Sequence, residues 1–181
     1  GALSELQSQG VQILSARVDV SREEELASVF EQMKRSMPPL RGVIHVAGVF
    51  DDRVLLRHDW DRFAGVLAPK VEGSWNLHCL TRDLPLDFFV LFSSGASFLA
   101  PVGLGNYTAA NCFVDGLGHY RKRAGLPALV VNWGPWAKVG MAEAVGDRRE
   151  EQWTRAGFGT MTAGEGLEAL GRLLRQGSTQ A

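Results

Sequence analysis

The chain has 181 residues, of which 45% are hydrophobic, 22% charged and 9% aromatic, and this is the composition of an ordinary folded domain. Nineteen Lys and Arg against twenty Asp and Glu leave a net charge of −1, which argues against nucleic acid and anionic membranes as partners. No apolar run reaches the roughly 18 residues of a membrane span, and residues 1–30 carry no signal-peptide pattern. Cys79 and Cys112 form no CxxC pair, so we expect a cytoplasmic location.

Short β-branched apolar runs alternate along the chain with stretches of helical period, which is typical of βαβ units around a parallel sheet. Four runs predict strands, at 11–19, 42–46, 86–93 and 127–132. The stretches between them predict helices over 23–37, 59–80 and 107–124. The pattern therefore predicts an α/β fold, a doubly wound parallel sheet with helices on both faces.

Helix-start signals and composition organise the rest of the chain. Ser21 with Glu24, and Thr162 with Glu165, have the spacing of capping boxes, the second opening a last helix to about Arg175. Residues 137–160 show weaker periodicity and predict a short helix and a loop. We expect one domain over 1–176 and the start of a flexible linker at 177–181.

The residues that follow each predicted strand carry the candidate chemistry, because functional groups of a doubly wound sheet gather at the carboxyl ends of its strands. Ser94 ends the third run, and Tyr107 lies 13 residues beyond it, at a helix start. Asn111 follows one helical turn later, and Lys70 lies on the preceding helix. A tyrosine hydroxyl, with an ordinary pKa near ~10, exchanges protons near neutrality only beside a cation. The set suits reduction of a carbonyl group.

Each of these residues alone has a plainer interpretation. Serines at a strand end are usually turn residues, and a lone Tyr or Lys on a helix is usually packed or solvated. A serine hydrolase elbow, G-x-S-x-G, would need glycine where Leu99 stands. The four histidines have no HExxH spacing, so we expect no metal site.

Five segments together resemble the ketoreductase domains of modular type I polyketide synthases, which belong to the short-chain dehydrogenase/reductase superfamily. They are HVAGVFDD at 45–52, LAPKVEGSWNLH at 67–78, FSSGAS at 92–97, GLGNYTAANCFVDGL at 103–117 and NWGPWAKVGM at 132–141. The resemblance runs from about Ala2 to about Arg175 and implies a Rossmann-like fold.

The resemblance implies NADPH-dependent reduction of a β-ketoacyl thioester held on an acyl carrier protein, beside other polyketide synthase domains. It makes Tyr107 the proton donor to the substrate oxygen and Ser94 the second hydrogen-bond donor, with Lys70 and Asn111 completing a tetrad. The placement of Lys70 and Asn111 follows the polyketide arrangement rather than that of a stand-alone dehydrogenase. The implied cofactor-binding residues are Asp19, Val20, His45, Ala47, Gly48, Asn132, Gly134 and Pro135, and Trp136 would face the substrate entrance.

The resemblance also implies a stereochemical class. One class carries a Leu-Asp-Asp motif, and here Phe50, Asp51 and Asp52 stand at those positions. Leu99 replaces the tryptophan usual in the other class, and Asn106 precedes Tyr107, so we expect a B-type reductase. Pro101 lies six residues before Tyr107, one residue away from the position that is usual in the family.

The phosphate-binding turn of a dinucleotide fold is not found in the sequence. No G-x-G-x-x-G turn follows a strand, and residues 2–9 resemble the end of a helix. We therefore expect a domain that lacks its first βαβ half and is inactive alone, with the missing N-terminal half as a partner. The alternative is a non-catalytic, structural ketoreductase-like subdomain.

Overall fold

The structure is a computed structural model that describes residues 1–51, 53–137, 157 and 159–181. From residue 23 onward, its main helices and strands follow the order that the sequence predicts. The helices are α1 (Ala2–Ser8), α2 (Glu23–Ser36), α3 (Trp60–Thr81), α4 (Ala96–Leu99), α5 (Gly105–Arg123) and α6 (Ala163–Gln176), with a 3-10 turn at Leu55–Arg57. The strands are β1 (Gly42–His45), β2 (Phe88–Ser94) and β3 (Leu129–Trp133).

The three strands form one parallel sheet in the order β1-β2-β3. Gly42 pairs with Phe88 at the first rung of β1 and β2, and Ser94 pairs with Trp133 at the last rung of β2 and β3. Since α3 joins β1 to β2 and α5 joins β2 to β3, both helices begin at the carboxyl edge of the sheet. Whatever follows β2 therefore meets the start of α5.

Helices cover both faces of the sheet, which confirms the predicted α/β architecture. On one face α2, α3 and α5 pack on Phe89 and Leu91, and on the other Leu170 of α6 packs on Val90. These alternating residues of β2 are all fully buried, as expected of a central parallel strand. A side chain at Gly118 would overlap Val130, so glycine there lets α5 approach the sheet closely.

Two local predictions are wrong. Residues 11–19 form no strand, because a strand needs a neighbour for its backbone hydrogen bonds and no described strand pairs with this segment. Helix α2 has no capping box, because the Ser21 hydroxyl donates to the Asp19 carboxylate instead, at 2.7 Å. The box of Thr162 and Glu165 is confirmed at the start of α6.

The chain end packs against β3 rather than projecting as a free tail. The N–H of Val130 donates to Thr179, and Ala181 exchanges two backbone hydrogen bonds with β3, through Val130 and Asn132. The domain boundary and the linker expected at 177–181 stay predictions. The helix and loop predicted within 137–160 fall almost wholly outside the described residues. None of the described helices is long and apolar enough to cross a membrane.

Candidate active site

Tyr107 occupies the first turn of α5, next to the end of β2. Its side chain is buried, and burial raises the pKa of its hydroxyl above the ordinary 10.0. Hydrogen bonds from the side chains of Ser94 and Asn111 oppose that rise in pKa, because they stabilise the phenolate. The structure therefore brings these three predicted residues together at the carboxyl edge of the sheet.

Lys70 projects from α3 toward the same place and is only 2% exposed. Its Nζ donates to the backbone oxygen of Phe92 at 2.8 Å and lies 5.8 Å from the centre of the Tyr107 ring. Burial lowers the pKa of Lys70 to about 8, and the charge of Asp115 opposes this shift. A cation held this close to a buried phenol favours its ionised form.

Asn111 lies one turn after Tyr107 on α5 and is fully buried. Its Nδ2 donates to the backbone oxygen of Tyr107 at 2.8 Å. Its Oδ1 is buried and has no hydrogen-bond partner among the described residues. A buried acceptor without a partner is costly in a folded protein, so this oxygen is suited to a donor supplied by a bound molecule.

His45, predicted from the resemblance to bind cofactor, contacts the turn of α3 that carries Lys70. Its Nε2 donates to the backbone oxygen of Pro69 at 3.0 Å, in the turn of α3 that carries Lys70. Burial, with the positive charge of Lys70, lowers the pKa of His45 to about 4. The imidazole is therefore neutral near pH 7. It stabilises the turn that carries Lys70 and places no second positive charge beside the lysine.

The predicted stereocontrol segment lies against the tyrosine. The ring of Phe50 meets that of Tyr107, with centroids 5.1 Å apart. Asn106 joins the two segments, since its Nδ2 donates to the backbone oxygen of Asp51 at 2.9 Å and its Oδ1 accepts from the Tyr107 N–H at 2.8 Å. The Asp51 carboxylate itself accepts two hydrogen bonds from Arg62.

Asp52 and Leu99 also belong to the predicted stereocontrol set. Asp52 lies outside the described residues. Leu99 ends α4 and is 57% exposed. The Asp51 backbone is thus bonded to the start of α5, whereas its carboxylate is paired with Arg62.

Asp19 and Val20, predicted beside the adenine, are held by contacts separate from the tyrosine cluster. The Asp19 carboxylate accepts from the N–H and hydroxyl of Ser21, and these bonds lower its pKa. The backbone oxygen of Val20 accepts from Asn76 at 3.1 Å, and a side chain at Gly73 would overlap Val20. Glycine at 73 therefore lets this segment lie directly on α3.

Gly134 and Trp136, which follow β3, lie in different surroundings. A side chain added at Gly134, a predicted cofactor-binding residue, would meet nothing within 4 Å, so there is open space at that strand end. Trp136 instead packs on Trp133, with centroids 5.0 Å apart, and against Gly166 of α6. Its role at the substrate entrance stays a prediction.

Asn132, predicted to face the nicotinamide, faces inward. Its Nδ2 lies within 3.1 Å of oxygen atoms of Ser93, Ser97 and Asp115. Neither Ser97 nor Asp115 is among the site residues predicted from the sequence, although Asp115 lies one helical turn after Asn111 and so shares its face. Among the described residues no group of His, Cys, Asp and Glu side chains could hold a metal ion.

Comparison with known proteins gives a consistent result. The KR domain family model matches residues 1–138. Polyketide synthase GfsB of Streptomyces halstedii is 43% identical over 98% of this chain and 3% of its own length. A putative inactive phenolphthiocerol synthesis polyketide synthase type I of Mycobacterium tuberculosis is 40% identical over 91% of this chain and 10% of its own. The chain thus spans a small part of these relatives.

Solved structures agree. A ketoreductase domain from the bacillaene assembly line matches with a TM-score of 0.92 at 31% identity, covering 98% of this chain and 44% of that one. A structure of A-type ketoreductases from a modular polyketide synthase matches with a TM-score of 0.90 at 35% identity, over 98% and 37% of the two chains.

Proposed function

The chain belongs to the KR domain family, the ketoreductase domains of polyketide synthases, and from that premise we propose that it is the catalytic part of an NADPH-dependent β-ketoreductase. The substrate is a β-ketoacyl thioester carried by an acyl carrier protein, and the product is the β-hydroxyacyl thioester. One observation supports this most directly: Ser94, Tyr107, Asn111 and Lys70 converge at the carboxyl edge of the sheet. We place the neighbouring polyketide synthase domains and an N-terminal nucleotide-binding half among its partners.

NADPH, when bound, supplies the hydride that reaches the carbonyl carbon. The hydroxyl groups of Ser94 and Tyr107 donate hydrogen bonds to the carbonyl oxygen, which gains negative charge as the carbon is reduced. Tyr107 then gives its proton to that oxygen, and the alkoxide becomes the product hydroxyl. Lys70, buried beside the ring, stabilises the phenolate that remains. Asn111 adds a hydrogen bond that favours the same phenolate.

The cofactor would lie along the ends of β1 and β3. The small residues Ala47 and Gly48 follow β1, and the open space beside Gly134, with Pro135 after it, lies at the end of β3. Asp19 and Val20 would flank the adenine. The unpartnered Oδ1 of Asn111 is consistent with a bound molecule at this edge, since a buried acceptor favours a donor.

The expected B-type outcome depends on the loop at residues 50–52. Phe50 contacts the tyrosine ring and Asn106 donates to the Asp51 backbone, so Phe50 and Asp51 lie at one side of the site. Because the Asp51 carboxylate is paired with Arg62, we propose that this loop guides the substrate by its shape rather than by the charge of Asp51.

The test is NADPH oxidation with a β-ketoacyl thioester surrogate, using the whole polypeptide that carries this chain. Tyr107→Phe keeps the ring packing and removes the transferable proton, so we expect kcat to fall by roughly 10²-fold or more. Tyr120→Phe is the matched control, since Tyr120 is exposed near the other end of the same helix. If the folded wild-type protein binds NADPH but does not turn over, the non-catalytic ketoreductase-like alternative replaces this proposal.

A further inference from the structure

A polar cluster lies behind Ser94, centred on the side chain of Asn132. The Nδ2 of Asn132 is 3.1 Å from Ser93 Oγ, 3.0 Å from Ser97 Oγ and 3.1 Å from each carboxylate oxygen of Asp115. Its Oδ1 accepts from Gln180 Nε2 at 2.9 Å. An ionised carboxylate only accepts hydrogen bonds, so Asp115 fixes which end of the Asn132 amide is the donor.

The serine hydroxyls of this cluster point to the backbones of two proposed catalytic residues, Ser94 and Asn111. Each serine hydroxyl near Asn132 can accept from the amide and still donate its own hydrogen. Ser97 Oγ donates to the backbone oxygen of Ser94 at 3.0 Å, and Ser93 Oγ is 3.5 Å from the backbone oxygen of Asn111. The two amide hydrogens of Asn132 are shared among Asp115, Ser93 and Ser97. Through Ser97 and Ser93 the amide is linked to the backbones of Ser94 and Asn111, the two residues whose side chains lower the pKa of Tyr107.

We infer that Asn132 is a positioning residue: it holds the hydroxyls of Ser93 and Ser97 so that the backbones of Ser94 and Asn111 keep their side chains on Tyr107. This inference rests on the proposed function, because it concerns the geometry of that proton transfer. Displacing a catalytic group by about 1 Å can cost on the order of 10²-fold in rate. Asp115 and Gln180 orient the amide from its two ends, which makes its direction specific.

The decisive variants change the direction of hydrogen donation while keeping the shape. Asn132→Asp removes both amide hydrogens and places a carboxylate beside Asp115, so we expect a lower Tm and a kcat reduced by about 10²-fold. Adding Asp115→Asn restores a donor and an acceptor between positions 115 and 132. The new carboxylate at 132, however, takes the serine hydrogens away from the backbone oxygens.

A positioning role and a merely structural role predict different results for this double variant. We expect it to regain most of the lost Tm while kcat stays at least tenfold low with little change in KM. If kcat recovers together with Tm, Asn132 only stabilises the fold and the inference is overturned. Thr81→Val is the control for destabilisation elsewhere, since the buried Thr81 hydroxyl donates to Leu77 at the far end of α3. We expect it to lower Tm and leave kcat unchanged.

Amide hydrogen exchange measured without substrate separates this inference from the proposed function. The N–H of Ala96 donates to Ser94 Oγ, and the N–H of Gly95 donates to Trp133, so both report on the turn after β2. We expect faster exchange over residues 93–100 in Asn132→Asp and in the double variant, but not in Thr81→Val. Unchanged exchange would overturn the inference even if every variant is active. If the wild type itself fails to reduce substrate, the proposed function fails, and exchange alone decides whether Asn132 holds the turn.

Discussion

The two ends of the α3–α5 helix pair carry the same kinds of groups and support different roles. Lys70 lies near the carboxyl end of β2, and Arg121 lies near its amino end; they are 2% and 0% exposed. Each donates to a backbone oxygen, Lys70 to that of Phe92 and Arg121 to that of Pro127. Burial lowers the pKa of Lys70 to about 8 and that of Arg121 to about 10. A buried cation with a depressed pKa is therefore not, by itself, a sign of catalysis.

Each of these two buried cations also has an aromatic ring and a histidine beside it. Lys70 faces the ring of Tyr107, while Arg121 lies 3.7 Å from the centre of the Phe89 ring. Burial, together with the neighbouring cation, lowers the pKa of His45 at one end and of His78 at the other. The difference is the ring: Tyr107 carries an ionisable hydroxyl and Phe89 has no proton to give. The carboxyl edge thus combines the cation with a group whose ionisation it can favour.

The largest expected effect is the loss of the Lys70 charge. Lys70→Met keeps the length of the side chain and removes the cation beside Tyr107, so we expect kcat for the β-ketoacyl surrogate to fall by about 10³-fold. Arg121→Met is the matched change at the other end of the helix pair, where we expect kcat to stay within about twofold. Equal losses of kcat in the two variants would remove the distinction between the ends.

The second prediction concerns the free energy of unfolding. Arg121→Ala removes the contact with Phe89 and leaves the Pro127 oxygen and His78 Nδ1 without their donor. We expect the free energy of unfolding in urea to fall by about 3–4 kcal/mol, with kcat per folded molecule nearly unchanged. A loss below about 1 kcal/mol would mean that the cost of burying the guanidinium cancels its hydrogen bonds.

The sequence predicts the groups around Lys70 better than those around Arg121, for a physical reason. Ser94, Tyr107 and Asn111 are related by short spacings within one βα unit, so strand and helix periods alone bring them together. Arg121 opens the run Arg-Lys-Arg at the end of α5, which is typical of solvated charge. Its one signal is helical phase, since it lies one turn after Leu117 on the buried face.

Contacts between distant segments explain why the sequence did not predict the Asn132 cluster and wrongly predicted a strand at 11–19. Asn132 is 48 residues from Gln180 and 17 from Asp115, and only the packing of α5 and the chain end around β3 brings them together. Residues 11–19 have the composition of a strand, but composition does not supply a neighbour for its hydrogen bonds. The parallel sheet and its covering helices were predictable because each depends on periodicity within one element.

The smallest predicted effect tests whether His45 stays neutral beside Lys70 in the folded protein. Its pKa is lowered from 6.5 to about 4 in the folded protein, so between these values the unfolded chain binds more protons than the folded one. Stability is therefore lost as pH falls from about 6.5 through about 4, by roughly 3 kcal/mol when the pKa difference is converted. The measurement is the free energy of urea unfolding across this pH range.

His45→Gln isolates that contribution, because the glutamine amide can still donate to the Pro69 oxygen and does not titrate. We expect the unfolding free energy of the variant to fall less on acidification than that of the wild type, by the same roughly 3 kcal/mol at pH 4. The carboxylates titrate alike in both proteins, so they cancel in the difference. Parallel acid profiles would show that protonating His45 costs the folded protein no stability, and that His45 is not held neutral beside Lys70.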